Sequence, residues 1–425
     1  MFKFIHTADI HLDSPLRGLS RYEGAPIDRL RGATRQAFLN LMQFAIDEAV
    51  EFVIIAGDLF DGDWKDYNTG LFFASQMSKL RENKIRVFMV SGNHDAVSTI
   101  TRKLNYPDNV YVFASKAPET IRFDEIGVAL HGQSFAQRDV TTNLAVNYRS
   151  ALPDYYNIGV LHTALSGREE HAQYAPCSKS DLLDKNYDYW ALGHVHQGEN
   201  VSESHDTIIV FPGIIQGRHI RETGSKGCTI VTIDDDRQTA IEPHSLDVLR
   251  WKHLNADISG ITTDEAFIES ISTVLEDASE QDADRMAAVR LEITGDSPMH
   301  TSLHDERERW VHQLRALATD IGDAEIWLEK VIFNTSAPID FEQLSREDSP
   351  IGHLLRFINS VEDDLLDELA LTLAPLKSKL PYEMRPDKFM SMQDIDWDNR
   401  DFMRDILEQA HKLLIPRLLA QGNDK

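Results

Sequence analysis

Five short stretches of this chain carry residues that can hold a metal ion. They are Asp9 and His11 in "ADIHLD", Asp58 in "AGDLFD", Asn93 and His94 in "SGNHD", His162 in "LHTA", and His194 and His196 in "GHVH". Asp-x-His places an oxygen and a nitrogen on one side of an extended segment. Mixed oxygen and imidazole ligation suits manganese, iron or zinc. Two divalent ions about 3.5–4 Å apart activate a water and clamp a phosphoryl oxygen. Such a pair needs one carboxylate that touches both ions, and Asp58, which follows the small Gly57, is the natural bridge. The Asn93 amide adds a ligand without adding charge. His94 need not bind metal; beside the ions it faces the phosphate and can give a proton to the leaving oxygen. One such dipeptide is weak evidence, whereas five in order, each after an apolar run, form a specific pattern.

The run that positions Asp9 and His11 is Phe2 to Ile5, and those that position the others are "FVIIA", "IRVFMV", "NIGVLH" and "YDYWALG", with "TIIVF" repeating the pattern. Each is apolar and β-branched, as strands buried on both faces are, with helical segments such as 34–49 between several of them. The polar residues then fall at strand carboxyl ends, where α/β sheets place their ligand sites. Residues 1–245 are therefore expected to form an α/β sandwich-like catalytic domain flanked by helices. Residues 249–335 read as strand, helix, strand, helix, strand, a smaller α+β unit, with Thr262 and Glu265 at capping-box spacing before its first helix. The stretch 334–350 reads as a linker, and 345–425 as a helical extension in which Ile351, Leu354, Leu355, Ile358, Val361, Leu365 and Leu369 recur at helical spacing.

Composition bounds the function. The 425 residues are 42% hydrophobic, with only two cysteines, Cys177 and Cys228, so a disulfide framework is not expected and a reducing compartment is. Neither a signal peptide nor a membrane span is legible, and a cytoplasmic location is expected. The net charge of −26 argues against a broad nucleic-acid-binding face, since phosphate binding rests on cations. Two local basic clusters stand out against it. One holds Arg17, Arg21, Arg29, Arg31 and Arg35, the other Arg218, His219, Arg221 and Lys226. Of these, Arg17, Arg21, Arg31, Arg218 and Arg221 are the candidate contacts to a phosphate chain, and solvated faces with acidic neighbours are the plainer alternative.

Other polar residues near the motifs have supporting roles to choose between. His6, inside the first strand, reads as a packed, hydrogen-bonded histidine. His131 in "VALHG" and Asp95 beside His94 are candidates for holding the ligands in place, Asp95 alternatively as a turn cap. Asp13 and Asp61 are not needed to fill two coordination spheres.

With these residues in view, the chain resembles the calcineurin-like metallophosphoesterases, whose five motifs match "ADIHLD", "GDLFD", "GNHD", "LHTA" and "GHVH". The forms "HTADIHL" and "AGDLFD", with the helical extension, resemble the SbcD-type DNA repair exonucleases and their YhaO-like branch. The resemblance covers about residues 1–245 and implies a metallophosphoesterase β-sandwich, a smaller α+β capping domain and a helical C-terminal region. It implies one metal on Asp9, His11, Asp58 and His196, a second on Asp58, Asn93, His162 and His194, manganese as the ion, and His94 as the catalytic histidine. It further implies a DNA substrate, a homodimer, and docking of the C-terminal helices onto an SMC-like ATPase. The chain departs from some relatives at Asp61, where they carry histidine, and in the loop that follows. It also reads "GDLFDGD" rather than the "GDxVDRG" of phosphoprotein phosphatases. A 3′-to-5′ exonuclease or end-processing nuclease is the leading expectation. A phosphodiesterase for a small cyclic or dinucleotide, and a non-catalytic subunit of an SMC-like ATPase complex, are the alternatives.

Overall fold

The computed structural model describes residues 1–14, 26–61, 67–97, 105–165, 174–202, 206–280, 285–322 and 325–360, and six scattered positions beyond. Along the chain run β1 (Phe2–Thr7), α1 (Ile27–Asp47), β2 (Phe52–Ala56), α2 (Tyr67–Glu82), β3 (Arg86–Val90) and β4 (Val110–Val112). They are followed by β5 (Glu119–Phe123), β6 (Val128–Gly132), β7 (Tyr156–His162), α3 (Lys179–Leu183), β8 (Tyr189–Gly193), β9 (Glu199–Asn200), β10 (Ile208–Phe211), β11 (Gly227–Ile233) and β12 (Thr239–Ser245). Their strands form two sheets of six, in the orders β12-β11-β1-β2-β3-β4 and β5-β6-β7-β8-β10-β9.

Alternation of the side chains explains the layering. Phe4, Phe52, Ile54 and Val90 of the first sheet meet Leu130, Ile158, Val160 and Ala191 of the second in one buried core. The opposite side chains of the first sheet, Ile5, Val53, Ile55 and Met89, pack under Phe38, Leu41 and Met42 of α1 and Phe73 and Met77 of α2. Leu161, Trp190, Leu192 and Ile209 on the outer face of the second sheet are covered by Tyr148 and by Leu182 of α3. The result is the helix-flanked α/β sandwich expected from the apolar runs. Because β1, β2 and β3 are parallel, as are β7 and β8, their carboxyl ends deliver the motif residues to one edge of the sandwich.

The next segment comprises β13 (Leu249–Asp257), α4 (Asp264–Glu280), β14 (Met286–Asp296), α5 (His300–Asp305), α6 (Arg307–Ile321) and β15 (Ile326–Ser336). Its three strands are parallel, in the order β13-β14-β15. Phe267, Ile271, Trp310 and Leu314 cover one face. On the other, Trp251, Met286 and Trp327 pack with Leu30 and Ala33 of α1. All of this lies within one compact unit, Met1–Ser336, and Ala337–Lys425 form another.

Three local expectations differ from what is observed. The first helix begins at Ile27 and ends when Ala49 turns left-handed at φ 49°. The cap of α4 is Thr263, whose hydroxyl accepts the Ala266 amide at 3.2 Å, one residue later than the capping-box spacing placed it. The stretch read as a linker contains α7 (Phe341–Arg346), capped by Asp340, before α8 (Pro350–Asn359), capped by Ser349. Most of 361–425, with the remaining expected helices, lies outside the described residues. Among the described residues no helix is long and apolar enough to cross a membrane.

Candidate active site

The loops after β1 and β2 stay stitched beyond the strands. The amides of Asp9, His11 and Leu12 donate to the carbonyls of Gly57, Asp58 and Leu59 at 2.9–3.0 Å. This forces left-handed backbone at Asp9 (φ 48°), His11 (φ 46°) and Asp58 (φ 50°), and His194 after β8 stands at φ 103°. Such conformations cost about 1–3 kcal/mol each and persist where the surroundings over-determine them, commonly at functional sites. Gly57, at φ 96°, lies so close under the His162 ring that a Cβ there would be 2.4 Å from Nδ1. That fixes glycine at the position before Asp58.

The side chains converge. The ligand atoms of Asp9, His11 and His196 lie within 4.8 Å of one another, as do those of Asp9, Asp58 and His162, and those of His11, Asp61 and His94. Asp9, rather than Asp58, is common to the first two groups. His162 Nε2 is 3.0 Å from Asn93 Oδ1 and 3.4 Å from Asp58 Oδ2. The His194 amide donates to Asp9 Oδ2 at 2.8 Å, and its ring meets those of His162 and Tyr174 edge-on. The His94 amide donates to Asp58 Oδ1 at 2.9 Å, its Nδ1 lies 3.5 Å from Asp61, and its side chain is a third exposed.

Three of the imidazoles are oriented through Nδ1. Nδ1 of His162 donates to the Ala56 carbonyl (3.0 Å), Nδ1 of His11 to Asp61 (2.7 Å) and Nδ1 of His196 to Glu222 (2.8 Å). In each case Nε2 is left to face the centre, the arrangement that metal-binding histidines adopt. His11 Nε2 and Asp9 Oδ1 are buried without any hydrogen-bond partner. Two such orphans cost about 1–3 kcal/mol each, and one cation between them satisfies both. The donor set therefore fits hard or borderline divalent ions.

Electrostatics agree. Burial pushes the Asp58 carboxyl up, but His162, His11 and His94 together hold it well below the usual range. Burial likewise disfavours charge on His162, yet Asp58 and Asp9 raise it to about 9. In the absence of a cation the carboxylates thus recruit a proton. Asp61 and Glu222 are both held low against burial, Asp61 by His11, Ser14 and Arg218, Glu222 by His196 and Arg218.

All eight residues singled out in the motifs come together. Asp95 supports them by accepting the amides of Leu59, Phe60 and Gly92, which braces the loops after β2 and β3 rather than the His94 ring. Burial and the nearby Asp58 push its carboxyl up to about 7. His131 does not belong to the site. It bonds Thr120 and Asn157 and stacks on Tyr187, so it is a packed histidine that holds β6, and the supporting role expected for it is corrected. Among the basic candidates, Arg17 and Arg21 lie outside the described residues, and Arg31 and Arg221 are exposed. Arg218 enters the site, 3.1 Å from Glu222 and 4.0 Å from Asp61. Sequence reasoning missed Glu222 altogether and undervalued Asp61.

Residues 2–198 match the family model of calcineurin-like phosphoesterases, and residues 251–336 match that of the metallophosphoesterase YhaO middle domain. The chain thus carries a calcineurin-like metallophosphoesterase domain followed by a YhaO-type middle domain. The family's chemistry is metal-dependent hydrolysis of phosphoesters at a dinuclear centre, and the converging Asp, Asn and His side chains are this chain's candidates to hold it. The chain is 29% identical over 417 residues to the uncharacterized metallophosphoesterase YhaO of Bacillus subtilis (strain 168), covering 97% of this chain and 96% of that one. It is 22% identical over 399 residues to the DNA double-strand break repair protein Mre11 of Methanopyrus kandleri, covering 87% and 82%. It is 26% identical over 322 residues to the protein of that name from Thermoplasma acidophilum, covering 71% and 79%.

Proposed function

We propose that this metallophosphoesterase is a phosphodiesterase acting on DNA, a 3′-to-5′ exonuclease or end-processing nuclease in repair. The observation that carries the chemistry is the convergence of buried Asp9, His11, Asp58 and His162 with half-buried His196, with an orphaned oxygen and nitrogen among them. The DNA substrate is supported by the similarity to the DNA double-strand break repair proteins Mre11. By the resemblance, Asp9, His11, Asp58 and His196 would hold one cation and Asp58, Asn93, His162 and His194 the other, with manganese as the ion. When bound, two such ions make a water more acidic and offset the charge gathering on phosphoryl oxygens.

This chain's own groups do the rest. Asp61 and Glu222 hold His11 and His196 in the tautomer that presents Nε2. His94, with its amide on Asp58 and its Nδ1 toward Asp61, has its other nitrogen to protonate the departing sugar oxygen. Arg218 contributes a fixed positive charge beside the phosphate. With a net charge of −26, much of the DNA-holding surface comes from a partner, an SMC-like ATPase docked on the C-terminal helices, in a homodimeric cytoplasmic assembly.

The test is hydrolysis, with manganese, of end-labelled duplex and single-stranded DNA beside a small chromogenic diester, with His94→Asn as control. Stepwise loss from one DNA end that disappears in the variant is expected. Turnover of the small diester alone, with and without the ATPase present, would contradict the DNA substrate.

A further inference from the structure

A cavity adjoins the site. Antiparallel β11 and parallel β10 bring Gly227 and Phe211 to the edge where β1 and β8 deliver the candidate ligands. Between them lies a cavity of about 370 Å³. It is joined to His196 by the backbone: the Ile214 amide donates to the His196 carbonyl (3.2 Å) and the Gly227 amide to the Ile214 carbonyl (3.0 Å). Val210, Pro212, Ile214 and Ile241 give it apolar walls, Gln197 and Lys226 give it polar ones, and the exposed Glu199 and Glu242 also line it.

Lys226 is the unusual member. It is only 5% exposed, and its ammonium donates to Gln197 Oε1 at 3.2 Å. The two acids whose charge it feels, Glu222 and Asp247, are engaged elsewhere. Glu222 takes His196 and Arg218, and Asp247 takes Arg250 and Arg285. Among the described residues no carboxylate oxygen comes within ion-pair distance of Lys226. A buried ammonium without an anion is costly and is retained where a ligand supplies one. A volume of this size with apolar walls and one buried cation, the cavity's two carboxylates being exposed to solvent, suits a small anion that carries a flat apolar body.

We infer that this cavity is a nucleotide subsite in which Lys226 holds a phosphate one unit away from the bond cleaved at the neighbouring centre. The assignment rests on the phosphodiesterase reading of that centre and adds to it where the next nucleotide of the substrate, or the released product, sits.

The test is calorimetric titration of the chelator-treated full-length chain with 5′-dAMP and, separately, with inorganic phosphate. The nucleotide is expected to bind the unaltered chain and Asp58→Ala alike, to bind Lys226→Met about tenfold or more weakly, and to bind Lys226→Arg nearly as well as the unaltered chain. Lys226→Met is expected to melt no lower than the unaltered chain, because it removes an unpaired buried charge. Ile241→Trp, which narrows the cavity without touching the cation, is expected to weaken dAMP and leave phosphate unchanged. Equal dAMP affinity in the unaltered chain and Lys226→Met, or loss of it in Asp58→Ala, would overturn the assignment. Absence of dAMP binding in a chain that cleaves diesters would remove the subsite and leave the phosphodiesterase. Binding in a chain that cleaves neither DNA nor the small diester would do the reverse.

Discussion

Asp61 and Glu222 show how much of this site depends on residues that touch no substrate. Each fixes one imidazole through Nδ1, and each is held ionised against burial by the histidine and by Arg218. Replacing either with its amide keeps the shape and removes the charge that selects the tautomer. Asp61→Asn and Glu222→Gln are each expected to lower manganese affinity by about 10- to 100-fold, read by calorimetric titration, with little change in melting temperature. Unchanged affinity in both would detach these carboxylates from the site. The motif residues were legible because each follows an apolar run in a short, polar signature. Asp61 was visible in "GDLFD" but had no role to play until the fold brought His11 to it. Glu222 carries no signature, since its partner His196 is distant in sequence. His131 was misread for the converse reason: a strand-end position says nothing about which face its side chain takes.

Elements place these residues, and the tolerance between β2 and β8 is tight. A Cβ on Gly193 would stand 1.9 Å from the Ala56 carbonyl oxygen, so alanine there must push one sheet off the other. Gly193→Ala is expected to lower unfolding stability by about 1–3 kcal/mol in urea titration and to cut diester turnover, because His194 and His196 leave on the displaced strand. Full turnover in a destabilised variant would mean that the loop after β8 is positioned independently of the strand. The long apolar strands were readable from the sequence because both faces are buried. The short edge strands β4 and β9, with exposed or half-exposed side chains, had no such pattern. The early start of α1 was hidden because Pro26 supplies no side-chain cap there.

At the scale of the whole molecule, buried neutral histidines make stability depend on pH. Burial lowers His6 to about 3 and His131 to about 4, and it lowers His11 as well. On unfolding these groups regain their ordinary value near 6.5, so below that pH the unfolded chain binds protons that the folded chain refuses. Asp95, raised to about 7, opposes them with one carboxyl, and His162, raised to about 9 in the folded chain, opposes them only near the top of this window, until its unfolded ring is protonated as well. The chelator-treated chain is therefore expected to lose stability between pH 6.5 and 4.5, each histidine contributing at most about 1.4 kcal/mol per pH unit. A urea midpoint that stays level or rises over that interval would contradict this. The acidic surface has a separate consequence, since a chain at −26 gathers little DNA unaided. If the proposed SMC-like ATPase docks on the C-terminal helices, removing 345–425 abolishes its association in size-exclusion chromatography, and an unchanged complex would contradict that docking.

The centre itself is tested most directly by counting its ions. Elemental analysis after dialysis against manganese is expected to find two ions per unaltered chain and none in Asp58→Ala, with His94→Asn retaining both. One ion or none in the unaltered chain, or a full pair in Asp58→Ala, would contradict the assignment of these side chains to a two-cation phosphodiesterase site.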